Sequence, residues 1–257
     1  MMVIANLKGC QMVKRALGFT LAEVLITLGI IGVVAAMTIP TLIANINGQK
    51  YRNQFKKTLS TLSQAARMSD AQYGFDFGGI STVCGANAAK EHPDTTMSIC
   101  GMMNGTLAGA TYFNKVTDIK MSKGNSILGY DANIPYAANI VTSIANLNNL
   151  HAYLLPDGSI FAFSKQLGEN PCSLPVGTVM ADVYNGGYLR YCLGFIDVNG
   201  ATLPNKEVVC SSGENTLTKN NCVVNKKEMT DIYPIRVYDG VVVPATAAGR
   251  YVLSTAK

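Results

Sequence analysis

The 257-residue chain has no tryptophan, few aromatic residues (8%) and few charged residues (14%). A charged content this low is not typical of coiled coils or disordered chains, so we expect a folded protein. The length allows a real hydrophobic core and suggests one or two domains. The sequence also lacks the GxSxG, HExxH and GxxxxGK[ST] motifs, which argues against the hydrolases, metalloproteases and nucleotide-binding enzymes that carry them.

A formal net charge of +5 gives little support for a nucleic-acid partner. Three of the basic residues, Lys8, Lys14 and Arg15, precede Gly18 in a segment without any acidic residue. The rest of the chain has 18 basic and 16 acidic residues, and its basic residues are scattered after Arg67. We therefore predict no direct binding of nucleic acid.

A long apolar run follows the basic segment. Residues 24–49 contain no Asp, Glu, Lys or Arg, and a helix of about 20 such residues spans a bilayer. A cleaved secretory signal peptide is one alternative, but "ALGFTLAE" separates the basic and apolar parts and no good A-x-A site closes the run. A plain membrane anchor is another, but it leaves unexplained why an acidic residue, Glu23, stands at the head of the run.

The segment "KRALGFTLAEVLITLGIIGVVAAMTIP" resembles the N-terminus of type IV pilins and of the pseudopilins of type II secretion systems. The resemblance covers only the N-terminal part of the chain and rests on the basic leader, Gly18, Phe19 and Glu23. It implies that a membrane prepilin peptidase cuts between Gly18 and Phe19 and methylates the new amino group of Phe19. It also implies assembly with other pilin-like subunits into a helical filament, through an inner-membrane platform and its cytoplasmic ATPase.

Physical chemistry gives several of these residues a role in such a filament. Gly18 has no side chain, so the backbone can enter a narrow peptidase site in an extended conformation. Cleavage leaves a cationic amine on Phe19, and an amine and a carboxylate are both costly in an apolar surrounding unless they pair. The resemblance likewise associates Glu23 with docking onto the amine of an adjacent subunit. Pro40, also common in the family, predicts a kink or local melting near residues 37–40.

The pattern changes to an amphipathic helix after the apolar run. Apolar side chains recur there at steps of three and four residues, at Tyr51, Phe55, Leu59, Leu62 and Ala66. The basic cluster 50–57 falls largely on other faces and is interpreted as solvated, with lipid headgroups or an acidic neighbour as alternative ligands. We predict four segments: a prepilin leader (1–18), a transmembrane helix (19–46), an amphipathic helix continuing into the head (47–75) and an extracytoplasmic globular head (76–257).

The head is expected to contain an antiparallel sheet. "HAYLLPDGSIFAFS" and "DIYPIRVYDGVVVPA" each predict two short strands around a turn with Asp-Gly, and "YLRYCLGFIDV" predicts another strand. Several antiparallel strands beside one long N-terminal helix predict an α+β fold, with the helix packed on the sheet.

Cysteine usage supports a head in an oxidising compartment. Cys10 lies in the leader, so cleavage leaves an even set: Cys84, Cys100, Cys172, Cys192, Cys210 and Cys222. Among the connectivities that remain open we favour the sequential one, which closes three short loops. The head would then lie on the periplasmic side of a single-pass inner-membrane protein. Zinc is the rival interpretation, but there is no CxxC pair and the two histidines, His92 and His151, are isolated.

No cofactor is expected, apart from one candidate calcium site. Asp197, Asn199, Asn205 and Asp231 offer the oxygen ligands that calcium prefers, although the spacing lacks the bidentate Glu of an EF-hand loop. The favoured interpretation of this stretch is a turn in which Asn199-Gly200 supplies a positive φ.

The sequence thus predicts a non-enzymatic, prepilin-like subunit of a filament. It does not separate a secretion pseudopilus from a type IV pilus or a competence filament. The alternative function is a membrane-anchored extracytoplasmic binding protein that does not assemble. A membrane-tethered enzyme would need a cleft with perturbed titratable groups, and the sequence points to none.

Overall fold

The computed structural model describes most of the helices and the central sheet. The described residues are 19–74, 84–96, 98–119, 150–164, 192–200, 202, 205–215, 217, 220–225, 228–238 and 241–255. The chain divides into two compact units, Met1–Ile43 and Ala44–Lys257. The predicted leader, residues 1–18, lies outside the described residues.

Helix α1 (Leu21–Tyr73) is the longest element, with 53 residues. Its N-terminal part is rich in Leu, Ile and Val, whose side chains are exposed in the isolated chain. The helix is long and apolar enough to cross a membrane. It stays helical through Pro40, so the predicted local melting at residues 37–40 is not adopted, while a bend at Pro40 stays a prediction. An exposed apolar run of this length requires a lipid or protein surrounding.

The C-terminal part of α1 packs against the head through its apolar face. Phe55, Leu62 and Ala66 are buried at the spacing that the sequence predicts. The ring of Phe55 stacks on that of Tyr233, with centroids 4.1 Å apart and planes inclined by 10°. Because these side chains are buried together, packing against the sheet stabilises this half of the helix.

The head contains one six-stranded antiparallel sheet in which neighbours in sequence are also neighbours in space. The strands are β1 (Thr111–Phe113), β2 (Leu150–Leu154), β3 (Ile160–Ser164), β4 (Cys192–Asp197), β5 (Ile232–Tyr238) and β6 (Val241–Pro244). Helices α2 (Ile99–Thr106) and α3 (Ala247–Thr255) complete the described elements longer than one turn. The predicted α+β fold, a long N-terminal helix with an antiparallel sheet, is confirmed.

Both predicted strand pairs are present. β2 and β3 pair across the Pro-Asp-Gly turn with Tyr153 opposite Phe161, and β5 pairs with β6 on the far side of the sheet. The predicted strand at residues 188–198 is realised as β4, while residues 188–191 lie outside the described range. The row Tyr153, Phe161, Ile196 and Tyr233 runs across four strands and belongs to the hydrophobic core. This row is the floor against which α1 packs, since Tyr233 stacks on its Phe55.

Candidate functional site

The N-terminal end of α1 is organised by two polar side chains, Thr20 and Glu23. The backbone N–H and the hydroxyl of Thr20 donate to Oε2 of Glu23, at 2.8 and 2.9 Å. The backbone N–H of Glu23 is 3.3 Å from Oγ1 of Thr20. These reciprocal contacts form a capping box, in which the side chains at N-cap and N3 satisfy backbone donors that a helix start leaves open. The box fixes both the first turn of the helix and the position of the carboxylate.

The first residues of the helix are open to contact from another molecule. Phe19 is 86% exposed, and Leu21 and Glu23 are exposed as well. The helix N-terminus also carries partial positive charge, which favours a carboxylate at this position. The first described residue is Phe19, and Gly18 on the other side of the predicted cleavage point lies outside the described residues. The structure therefore presents the Glu23 carboxylate beside the position where a mature N-terminus would begin.

Hydroxyl groups further along the apolar run bind within the helix itself. Thr27 donates to the carbonyl of Glu23 at 2.9 Å, Thr38 to that of Val34 at 2.9 Å, and Thr41 to that of Thr38 at 2.8 Å. Bonds of this type let a hydroxyl enter an apolar surrounding without losing a partner. A carboxylate cannot be neutralised in this way, so Glu23 is the residue of this segment that needs a cationic partner.

Two disulfides are present in the described part of the head. Cys84 is bonded to Cys100 and Cys210 to Cys222, with Cα–Cα distances of 5.6 and 5.3 Å. These are two of the three pairs that the sequence favours. The third, Cys172 with Cys192, involves Cys172 outside the described residues. The first bond joins the segment before α2 to the first turn of that helix, and the second closes a short loop before β5. Both support an oxidising compartment for the head.

Of the four candidate calcium residues, Asn199 and Asn205 contact the carboxylate of Asp231, and Asp197 contacts Asn199. The oxygens of Asp231 accept hydrogen bonds from the backbone N–H groups of Asn205, at 2.8 Å, and of Lys206. The side chain of Asn199 also binds Asp231, and the Asn199 backbone N–H donates to Oδ1 of Asp197 at 3.2 Å. Burial raises the pKa of Asp231 above its ordinary value, although these donors act in the opposite direction.

This cluster joins the loop after β4 to Tyr51 in the C-terminal half of α1. The amide of Asn199 donates to the hydroxyl of Tyr51 at 3.3 Å, and Gly200 has φ +69°, as the turn interpretation requires. A side chain at Gly200 would also press on the carbonyl oxygen of Gly158, 2.3 Å from an added Cβ. The arrangement has a structural purpose without an ion, and calcium at these four residues stays a proposal.

Arg52, one of the basic residues in the cluster 50–57, is buried rather than exposed to solvent. Arg52 is only 8% exposed, and its guanidinium donates to the carbonyl of Asn225 at 3.3 Å. Interpreting it as part of a solvated face was wrong, because the loop around Asn225 folds over this side of the helix. Lys57 does remain exposed and pairs with Asp157 in the turn between β2 and β3, at 3.5 Å. The Ser159 donors and Lys57 overcome the effect of burial and lower the pKa of Asp157.

The two histidines have separate local partners. His151 is buried, and its Nδ1 lies 2.7 Å from the hydroxyl of Tyr112. Nδ1 of His92 lies 3.0 Å from Oδ2 of Asp94, and its ring contacts that of Tyr73. Both histidines are therefore placed among packing and hydrogen-bond partners.

Two carboxylates that the sequence did not single out have unusual surroundings. Glu207 is only 4% exposed, both its oxygens lack a hydrogen-bond partner among the described residues, and burial raises its pKa to about 8. Glu91 lies beside the Cys84–Cys100 disulfide. Neither residue stands in a recognisable motif, so only the tertiary structure identifies them.

Comparison with known proteins adds one finding at the N-terminus. The family model of the prokaryotic N-terminal methylation motif matches residues 13–39. The match includes Gly18, Phe19 and the capping box of Thr20 and Glu23, and it continues into the apolar run. No curated protein and no solved structure matches the chain.

Proposed function

The chain carries the N-terminal signature of type IV pilins and pseudopilins, and from that premise we propose that it is a prepilin-like subunit of a helical filament. In this proposal a prepilin peptidase cuts after Gly18 and methylates the amine of Phe19. The mature chain keeps α1, which anchors the protein in the membrane before assembly. The function is then structural, since the signature marks filament subunits.

The observation that carries this proposal is the carboxylate of Glu23 at the exposed end of an apolar helix. The capping box holds it four residues from the amine that cleavage would create on Phe19. Within one chain Thr20 supplies only neutral donors to this carboxylate. A methylated amine of a neighbouring subunit would supply the missing positive charge, and pairing would offset the cost of burying both charges in a filament core.

Assembly of this type needs contacts that do not close into a ring. A carboxylate on one copy and an amine on the next form a heterologous, head-to-tail contact, which generates a helical array when repeated. We include in the proposal the partners that such assembly requires: other pilin-like subunits, the prepilin peptidase, an inner-membrane platform and a cytoplasmic ATPase. The two described disulfides support a periplasmic head, and an inner-membrane, single-pass location before assembly belongs to the same proposal.

The second candidate is a membrane-anchored binding protein that does not assemble. It is compatible with the apolar helix and with the disulfides. It gives no use to the match across the cleavage point or to the Glu23 carboxylate. A test of Glu23 therefore separates the two functions.

The test compares Glu23→Ala and Glu23→Gln with the wild type in the native host. We expect both variants to insert in the membrane but to give at least tenfold fewer filaments, measured by shearing and immunoblotting. Glu23→Gln keeps an acceptor for Thr20 and removes only the charge, so its failure would identify the ion pair rather than the cap. Thr41→Ala, in the same apolar run, is the control and should assemble normally. Wild-type filament levels in both Glu23 variants would contradict the proposal.

A further inference from the structure

The two described disulfides have different electrostatic surroundings. A carboxylate oxygen of Glu91 and the sulfurs of Cys84 and Cys100 all lie within 4.8 Å of one another. In the part of the chain that the structure describes, no Asp or Glu stands in this relation to the Cys210–Cys222 disulfide. The neutral side chain of Asn215 lies beside this disulfide, with its Oδ1 3.4 Å from Sγ of Cys210. One disulfide therefore has a carboxylate within 4.8 Å of its sulfurs, whereas the described neighbour of the other is a neutral amide.

The Glu91 carboxylate is held in place from both ends of the disulfide loop. Its Oε1 accepts from the backbone N–H of Gly85 at 2.6 Å, and its Oε2 accepts from the hydroxyl of Ser98. Its backbone carbonyl accepts from the side-chain amide of Asn104 at 2.9 Å. The carboxylate consequently cannot swing away from the sulfurs without losing these bonds.

Helix α2 acts on the same disulfide with the opposite sign. Ser98 is the N-cap of α2 and accepts from the N–H of Gly101 at 2.9 Å, so Cys100 lies in the first turn of the helix. A helix N-terminus favours a thiolate and would make Cys100 a good leaving group in thiol exchange. The negative charge of Glu91 opposes this stabilisation of the Cys100 thiolate.

We propose that Glu91 protects the Cys84–Cys100 disulfide from thiol exchange and leaves Cys210–Cys222 as the more reactive of the two. In exchange with a dithiol, an external thiolate attacks one sulfur, the S–S bond breaks, and the other cysteine leaves as a thiolate that takes up a proton. The second thiol of the reductant then displaces the protein sulfur. The dithiol is oxidised to its own disulfide and supplies both electrons. Negative charge is spread over the three sulfurs in the first step, so a carboxylate within 4.8 Å of them slows this step.

The two disulfides would then serve different purposes in the folded head. Cys84–Cys100 would stay closed where thiols are present, and it would keep α2 joined to the segment that follows α1. The loop closed by Cys210–Cys222 carries Asn215. The side-chain oxygen of Asn215 accepts a hydrogen bond from the N–H of Ala248, in the first turn of α3, at 2.9 Å. Opening Cys210–Cys222 would loosen this contact with the C-terminal helix.

The experiment treats the full chain in detergent with dithiothreitol under native conditions and follows each disulfide by timed alkylation and peptide mass spectrometry. In the wild type we expect Cys210 and Cys222 to be labelled roughly ten times faster than Cys84 and Cys100. In Glu91→Gln we expect Cys84–Cys100 to react roughly tenfold faster and Cys210–Cys222 to keep its rate, which makes the second bond an internal control.

Two further variants separate charge from structure. Asp94→Asn removes a negative charge from the same loop, outside the group formed by Glu91 and the sulfurs, and should leave both rates unchanged. Ser98→Ala removes one bond to the carboxylate but keeps its charge, and Cys84–Cys100 should remain the slower disulfide. An unchanged Cys84–Cys100 rate in Glu91→Gln would overturn the proposal, as would equal acceleration of both bonds. Equal rates for the two disulfides in the wild type would overturn it without any variant.

Discussion

At the scale of single residues, Glu207 gives the clearest prediction about how stability depends on pH. Its carboxyl is buried, has no hydrogen-bond partner in the part of the chain that the structure describes, and has a pKa that burial raises to about 8. Below about pH 4.5, the ordinary value for Glu, the group is protonated in the folded and the unfolded chain. As the pH rises towards 8, only the unfolded chain loses this proton. The free energy of unfolding should therefore fall across this range through Glu207 and level off above it.

Replacing Glu207 by Gln tests this assignment. Glu207→Gln removes the charge that burial disfavours, so we expect it to stabilise the head by at least about 1 kcal/mol at pH 8 and to flatten the pH dependence. Thermal melts of the full chain in detergent from pH 5 to pH 9 measure the effect. Glu228→Gln is the matched control, because Glu228 is half-exposed and paired with Lys206. If the two variants had the same pH profile, Glu207 would not be the responsible group.

At the scale of elements, the loop after β4 depends on Asp231. Its carboxylate joins the backbone of Asn205 and Lys206 to the side chain of Asn199, which in turn reaches Tyr51 on α1. The hydrogen bonds alone predict that Asp231→Ala lowers the unfolding free energy by about 1–3 kcal/mol, because buried N–H groups lose their acceptor.

Calcium would add a second, separable effect at this loop. If the ion binds there, millimolar calcium should raise the melting temperature of the wild type, and the shift should vanish in Asp231→Asn. Magnesium at the same concentration is the control, since it demands a smaller and more regular octahedral site. A wild-type melting temperature unchanged by calcium would remove the metal and leave the hydrogen-bonded turn as the full explanation of these residues.

Elements with a clear periodicity were predictable from the sequence. The three- and four-residue spacing from Tyr51 to Ala66 identified the buried face of α1, and alternating apolar residues around Asp-Gly turns identified two strand pairs. Strand β1, with three residues, and helix α3, with nine, are too short to give a strong signal of this type. β1 forms because β2, a partner far away in sequence, lies beside it in the sheet, and α3 forms because it packs on the neighbouring strands β5 and β6.

Polar residues inside the head were not predictable in the same way. The spacing of the basic residues suggested that Arg52 faces solvent. Nothing in the sequence around Glu207 and Glu91 distinguishes these two residues from surface carboxylates. Their burial and contacts depend on which distant loop folds over them, as Asn225 does over Arg52. The contact between Thr20 and Glu23 is of a different kind, because the two residues are three positions apart and form a capping box within one helical turn.

At the scale of the whole molecule, the two units differ in the surfaces that they expose. The N-terminal unit has an exposed apolar helix that needs lipid or neighbouring copies, while the second unit has its own sheet, core and disulfides. A chain of this kind can wait in a membrane and later exchange lipid for protein contacts. In the proposed assembly the leader is removed first, because only cleavage creates the amine that Glu23 is proposed to bind.

The most direct test of the central claim is intact-mass and N-terminal peptide mass spectrometry of the protein purified from its native membrane. We predict a mature chain that begins at N-methylated Phe19, with its remaining cysteines paired as disulfides. This result would establish processing and the compartment of the head in one measurement. A chain that keeps its leader, or one cut between residues 36 and 44, would contradict the filament proposal and favour an anchored or secreted binding protein.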